Sequence, residues 1–262
     1  MNDYVQATVT VEQVGEHVAL VTLNRPHARN AVNAELAQAL EAVVRQTESD
    51  PDIWVVVLTG CGEQVFCAGA DLKEVAAGNA ASLFTADGGF AGFVESRRSK
   101  PWIAAVNGLA LAGGLEILLS CDLVVASAQA AFGLPEVKRG LMALAGGLYR
   151  LPRALPRAVA LEMIITGENL GAERAWQLGL VNHLEPSEQV LPKALSLAQV
   201  IARNAPIAVR ESLRIARQTD DHSEEELFQM SRQARNYLVT TEDYLEGPRA
   251  FVEKRMPQWK GR

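Results

Sequence analysis

The chain of 262 residues is poor in the residues that build disulfide frameworks and metal centres. Its three cysteines, Cys61, Cys67 and Cys121, form neither an even disulfide set nor a zinc-like spacing. Its four histidines, His17, His27, His183 and His222, are scattered, so no histidine-based metal site is expected. Positive charge is also short. Lys and Arg number 25 against 31 Asp and Glu, a net charge of −6, which argues against a general nucleic-acid or membrane-surface binder. No apolar run reaches membrane-spanning length. The opening MNDYVQATVTVEQ carries no apolar segment behind basic residues and is not arginine-rich, so a cytoplasmic location is expected. What is present is 48% apolar and 21% charged, the balance of a globular protein with a sizeable core.

Val5 to Val14 alternates apolar and polar residues, Gly15 turns the chain, and His17 to Leu23 alternates again, which predicts a β-hairpin. Asn33 can cap a helix whose apolar face is Leu36, Leu40, Val43 and Val44, running to about Glu48. After the Asp50-Pro51-Asp52 turn, Ile53 to Leu58 is continuously apolar, as in a strand buried on both faces. Strand, helix, strand implies a right-handed crossover in a largely parallel sheet. The theme recurs with a strand at Trp102–Val106, a helix at Gly113–Ser120, a strand at Leu123–Ala126 and a late strand at Leu180–Leu184. From Ser187 onward four helical patterns follow, the second opened by Pro206 and the third by the capping box Ser223-Glu-Glu-Glu226. A soft boundary is expected near residue 195.

Three segments carry residues suited to chemistry. In Ala104 to Cys121 the single carboxylate Glu116 sits among Leu115, Ile117, Leu118 and Leu119, behind the pair Gly113-Gly114. An unpaired buried carboxylate costs several kcal/mol or takes up a proton. Glu116 is therefore either a structural group with an unseen partner or an acid–base group tuned by apolar neighbours. Ala68, Gly69 and Ala70 let a ligand approach the backbone, and Asp71 can open a helix, although an ordinary glycine turn with a capping Asp reads the same way. A dinucleotide fingerprint starting at Gly60-Cys61-Gly62 fails at Val65. In Phe132 to Val137, Pro135 at a helix start puts Glu136 in the first turn, either exposed or catalytic.

Together these segments resemble the enoyl-CoA hydratase (crotonase) family: AGAD at Ala68–Asp71, KPWIAAVNGLALAGGLE at Lys100–Glu116 and FGLPEVKRG at Phe132–Gly140. The ending is similar too, with Thr241-Glu-Asp243, Glu246-Gly247, Phe251 to Pro257 and Trp259-Lys-Gly261. The resemblance implies an α/β fold of stacked ββα turns in a superhelix: a core over residues 1–195, and a helical region over 196–262 for trimer formation and CoA contact. It implies an oxyanion hole from the N–H groups of Ala70 and Gly113, and the catalytic pair Glu116 and Glu136. Ala68, Asp71 and Leu72 would lie beside the substrate, and Phe251 and Lys254 would contact CoA, often that of a neighbouring subunit. The acyl pocket would draw on Leu72 to Arg98, with Phe84, Phe90 and Phe93.

The expected partner is an acyl-CoA thioester, with no metal and no cofactor beyond the CoA of the substrate, and the expected assembly is a trimer or a dimer of trimers. Two departures stand out. Met142-Ala-Leu-Ala-Gly-Gly147 replaces the usual Pro-Gly-x-Gly-Gly, so Leu144 stands where a glycine that helps hold the water is common; it is expected to keep a backbone amide for the water or acyl pocket while its Cβ crowds the site. His27 and Arg29 occupy positions of variable character. Arg150, Arg153 and Arg157 read as a solvated basic face, the alternative being a counter-charge to the phosphates of CoA.

The reaction implied is water addition to a 2-enoyl-CoA. Negative charge passing to the thioester oxygen needs fixed donors, each worth about 3–4 kcal/mol of barrier. Two carboxylates on one water can deprotonate it and deliver a proton to C2 if one is ionised and the other protonated. The alternatives are isomerase or hydroxyacyl-CoA dehydratase activity on the same fold, and a non-catalytic scaffold.

Overall fold

The hairpin pattern near the start folds as expected in the computed structural model, which describes residues 7–262. Val5 and Gln6, at the beginning of that pattern, lie outside the described residues. β1 (Val9–Gln13) pairs antiparallel with β2 (Val18–Leu23), with Val11 opposite Val21. α1 (Ala34–Ser49) starts where the Asn33 side chain accepts the Leu36 N–H, and its face of Leu36, Leu40, Val43 and Val44 is buried. β3 (Val55–Gly60) then runs parallel to β2, completing the crossover, and all six of its residues are buried.

From here the chain repeats one unit, a strand in a large sheet followed by a short strand in a second sheet and a helical turn. β3 leads to β4 (Val65–Cys67) and α2 (Leu72–Ala76). After the small antiparallel pair β5 (Phe84–Thr85) and β6 (Gly89–Phe90) come β7 (Trp102–Val106), β8 (Leu109–Leu111) and α3 (Gly113–Leu118). β9 (Leu123–Ser127) leads to β10 (Ala131–Gly133) and a 3-10 turn over Pro135–Arg139. The chain continues through α4 (Gly147–Ala154), α5 (Arg157–Thr166), β11 (Leu170–Gly171), α6 (Ala172–Gln177) and β12 (His183–Glu185). The large sheet has the order β1-β2-β3-β7-β9-β12 and the smaller one β11-β10-β8-β4. These are the stacked ββα turns of the expected superhelix.

One face of the large sheet, through Leu58, Trp102, Ala104 and Val124, packs against α1, α3 and the second sheet. The other face, through Val18, Val55, Val57, Ile103 and Val125, is covered by Val190, Ala194 and Ala198 of α7 (Val190–Ala202). Residue 195, the expected boundary, falls inside this helix. α8 (Pro206–Ala216), α9 (Glu224–Leu238) and α10 (Glu242–Glu253) complete the four C-terminal helices, with Pro206 in the first turn of α8 and the Ser223–Glu226 capping box closing both ways on α9. The late strand lies slightly beyond its expected place, at His183–Glu185, and pairs parallel with β9.

Candidate functional site

The short strands β4, β8 and β10 are neighbours in the second sheet, so the loops that follow them emerge along one edge. Ala70 follows β4, Gly113 and Glu116 follow β8, and Glu136 follows β10. The three sequence segments are thus brought together by parallel stacking of successive turns.

The Ala70 loop is anchored by a bridge to Val32: the Val32 N–H donates to the Gly69 carbonyl (2.8 Å) and the Asp71 N–H to the Val32 carbonyl (2.9 Å). The Ala70 N–H between them has no acceptor among the described residues. Gly69 has φ +89°, and a Cβ there would lie 2.8 Å from the Gly113 nitrogen. Only glycine lets the two loops approach this closely. Gly113 opens α3, whose first hydrogen bonds, from Leu115 and Glu116, go to the Ala112 carbonyl, so the Gly113 N–H likewise has no acceptor among the described residues. Ala112 itself holds φ +52° and ψ −128°, a conformation that costs a residue with a side chain on the order of 1–3 kcal/mol. Its N–H is tied to the Gly133 carbonyl (2.8 Å), which fixes the helix start against β10.

Glu116 is 3% exposed. Its Oε1 accepts the Gly147 N–H at 2.9 Å. Burial pushes its carboxyl up to about 7; the Gly147 amide opposes this, repulsion from Glu136 adds to it, and the Ala145 amide and Arg150 pull it down. Glu136, in the turn begun by Pro135, is also raised, chiefly by burial, with its own backbone N–H and Arg139 opposing. Its Oε2 is buried without a hydrogen-bond partner among the described residues. The charge of Glu136 thus reaches Glu116. One carboxyl is held on a backbone amide and the other has an oxygen left for a ligand or water.

The remaining expected residues divide. Phe90 borders Gly113, where a Cβ would fall 2.4 Å from its ring, and Phe84 meets Phe90 edge-on at 5.5 Å while being 45% exposed. Phe93 does not line a pocket. It is fully buried, edge-on to Trp102 at 4.9 Å and beneath the Arg98 guanidinium, so it belongs to the core. Ala68 donates its N–H to the Arg29 carbonyl (3.1 Å), and Leu72, at the start of α2, is 48% exposed. Asp71 is committed to structure: it caps α2 through the Lys73 N–H and pairs with Arg25 at 3.1 Å.

Leu144 departs from expectation. Its N–H is used by the Met142 carbonyl (3.0 Å) and its side chain is 70% exposed, so it neither offers a free amide nor fills the site. Phe251, 84% exposed, and Lys254, the left-handed residue ending α10, make no hydrogen bond or ion pair to the three loops. Arg150 is not part of a solvated face: it is half-buried and bonded to the Ser120 hydroxyl and the Val94 carbonyl, whereas Arg153 pairs with Asp221 at the surface. The amides of Ala145 and Gly147 and the clamp of Arg150 were missed from sequence. The Gly146-Gly147 pair was their only local signal. Among the described residues no three His, Cys, Asp or Glu side chains cluster as metal ligands, and no helix is long and apolar enough to cross a membrane.

The carnitinyl-CoA dehydratase of Escherichia coli is 41% identical over 247 residues, covering 92% of this chain and 94% of its own. Its namesake from Proteus mirabilis is 40% identical over the same span. Among solved structures, an enoyl-CoA hydratase from Mycobacterium tuberculosis superposes with a TM-score of 0.93 at 44% identity, covering 98% of this chain and all of the other. A carnitinyl-CoA hydratase from Mycobacterium avium does so at 0.78 and 46%, with the same coverage. The sequence profile of the enoyl-CoA hydratase/isomerase family matches residues 13–262. Matched over nearly its whole length by that profile and by relatives at 40% identity or more, and folded as stacked ββα turns, the chain belongs to that family, the crotonases.

Proposed function

We propose that the protein catalyses the reversible addition of water to the 2,3 double bond of a 2-enoyl-CoA, giving a 3-hydroxyacyl-CoA, in the cytoplasm and with no cofactor beyond the CoA of the substrate. The observation that carries this reading is the carboxyl pair: Glu116, nearly dry and raised to about 7, repelled by Glu136, whose buried Oε2 has no hydrogen-bond partner among the described residues. Concerted water activation and C2 protonation need one carboxyl ionised and the other protonated, and two raised carboxyls, one of them repelled by the other, suit that division. Glu116 takes mainly the water proton and Glu136 mainly supplies C2. The N–H groups of Ala70 and Gly113, the latter at the positive end of α3, would receive the thioester oxygen as it gains charge.

Run backwards, the same groups dehydrate a 3-hydroxyacyl-CoA. The relatives named carnitinyl-CoA dehydratase support testing carnitinyl-CoA as a second thioester. Exposed apolar residues on α9 and α10, among them Phe228, Leu245, Phe251 and Val252, support a homo-oligomer, a trimer or a dimer of trimers, in which Phe251 and Lys254 reach the CoA of a neighbouring copy. Ultraviolet assay with crotonyl-CoA, longer enoyl-CoAs and carnitinyl-CoA tests the reading. Loss of the conjugated enoyl absorbance with a hydroxyacyl product from the enoyl-CoAs, or its rise with loss of water from carnitinyl-CoA, supports it. A migrated double bond means isomerisation, and no turnover of any thioester favours a scaffold.

A further inference from the structure

Arg150 is a half-buried cation with no carboxylate within ion-pair distance among the described residues. Its guanidinium is spent on three separate segments. Nη1 donates to the Ser120 hydroxyl at 2.8 Å and to the Ala145 carbonyl at 3.3 Å, and Nη2 donates to the Val94 carbonyl at 2.6 Å. Ser120 follows α3 and in turn donates its hydroxyl to the Glu116 carbonyl at 2.8 Å. Ala145 lies two residues before Gly147, whose N–H holds Glu116 Oε1. The left-handed Gly146 between them (φ +111°) makes room for the clamp, because a Cβ there would lie 2.5 Å from Arg150 Nη1. Both ends of Glu116, its backbone carbonyl and its carboxylate, are therefore fixed to structures that Arg150 ties together.

On the hydratase reading above, we propose that Arg150 is a positioning residue for Glu116: its planar fork locks the Ala145–Gly147 loop to the end of the helix that carries the carboxylate. A lysine could supply the charge but not the fork. The charged groups facing Glu116 are Glu136 and Arg150. Around Arg150 stand the Tyr149 ring, the Ser120 hydroxyl and the Arg98 guanidinium, itself flanked by Cys121, Asp122 and Arg217.

The test combines steady-state kinetics with a substrate-free titration of Glu116, read by carbon NMR on protein carrying carboxyl-labelled glutamate and assigned with Glu116→Gln. In Arg150→Met the Glu116 midpoint should rise above about 7, by about half a pH unit or more. Its kcat should fall about tenfold or more while KM moves by less than about threefold. Arg150→Lys should restore the midpoint but only part of kcat. Ser120→Ala should lower kcat several-fold with the midpoint unmoved, and its effect should not multiply with that of Arg150→Met. An unmoved midpoint in Arg150→Met, or a full return of kcat in Arg150→Lys, overturns the proposal. Should Arg150→Met not fold, unchanged kcat in Ser120→Ala does the same. Because the titration needs no substrate, the two failures are distinguishable: a protein that turns over no thioester removes the hydratase reading, whereas an unmoved Glu116 midpoint in Arg150→Met overturns the positioning proposal by itself.

Discussion

Replacing Glu116 by glutamine should make the protein more stable at alkaline pH while removing its activity. The carboxyl is moved from 4.5 to about 7, chiefly because it is 3% exposed among apolar neighbours. At about 1.4 kcal/mol per pH unit this corresponds to roughly 3 kcal/mol. Below pH 4.5 the group is neutral folded or unfolded and costs nothing. Between 4.5 and about 7 the unfolded chain releases the proton while the folded one keeps it, so stability is lost as pH rises. Above about 7 the cost is constant and complete. Glutamine has no such dependence, and its carbonyl can still accept the Gly147 N–H. The stability gap between Glu116→Gln and the parent should therefore widen by roughly 2–3 kcal/mol from pH 5 to pH 8. In thermal melts this amounts to several degrees. A gap that stays flat with pH, or a variant less stable than the parent at pH 8, would refute the argument that this carboxyl is dry and raised.

Glu136→Gln should lower kcat about 10²-fold or more with CoA-ester binding retained, checked by stopped-flow assay and calorimetry with a thioester. Gly69→Ala combines a left-handed backbone with a Cβ 2.8 Å from the Gly113 nitrogen; it should cost about 10²-fold or more in kcat by disturbing both amides. Phe93→Ala should lose about 3–5 kcal/mol in urea unfolding without changing the order of preference among acyl lengths, since the ring is core rather than wall.

The parts of this fold visible in the sequence were those set by local pattern. The Asn33 cap, the buried run into β3, the strand Trp102–Val106 and the Pro206 and Ser223 helix starts all depend on neighbours within a few residues. The second sheet was not read because its strands are two or three residues long, too short for alternation to register. Glu116 stood out because a charge in an apolar helix demands a reason, and its partner Glu136 came through the family resemblance rather than from its own surroundings. Arg150 looked like one of three basic residues on a helix. Its true partners, Val94 and Ser120, lie 56 and 30 residues away and cannot be inferred from spacing. Leu144 was misread for the opposite reason: its amide is consumed by the local turn to Met142, a backbone detail that side-chain identity does not reveal.

Hydration at this site requires a thioester oxygen between two loop amides and a water between two carboxyls. A crystal structure of the protein with a non-reactive acyl-CoA analogue measures this directly. The thioester oxygen is expected about 2.7–3.1 Å from both the Ala70 and Gly113 nitrogens, with C2 and C3 facing Glu136 and Glu116. An analogue bound with its thioester away from those amides, or with the two carboxyls turned from its C2–C3 bond, would contradict it.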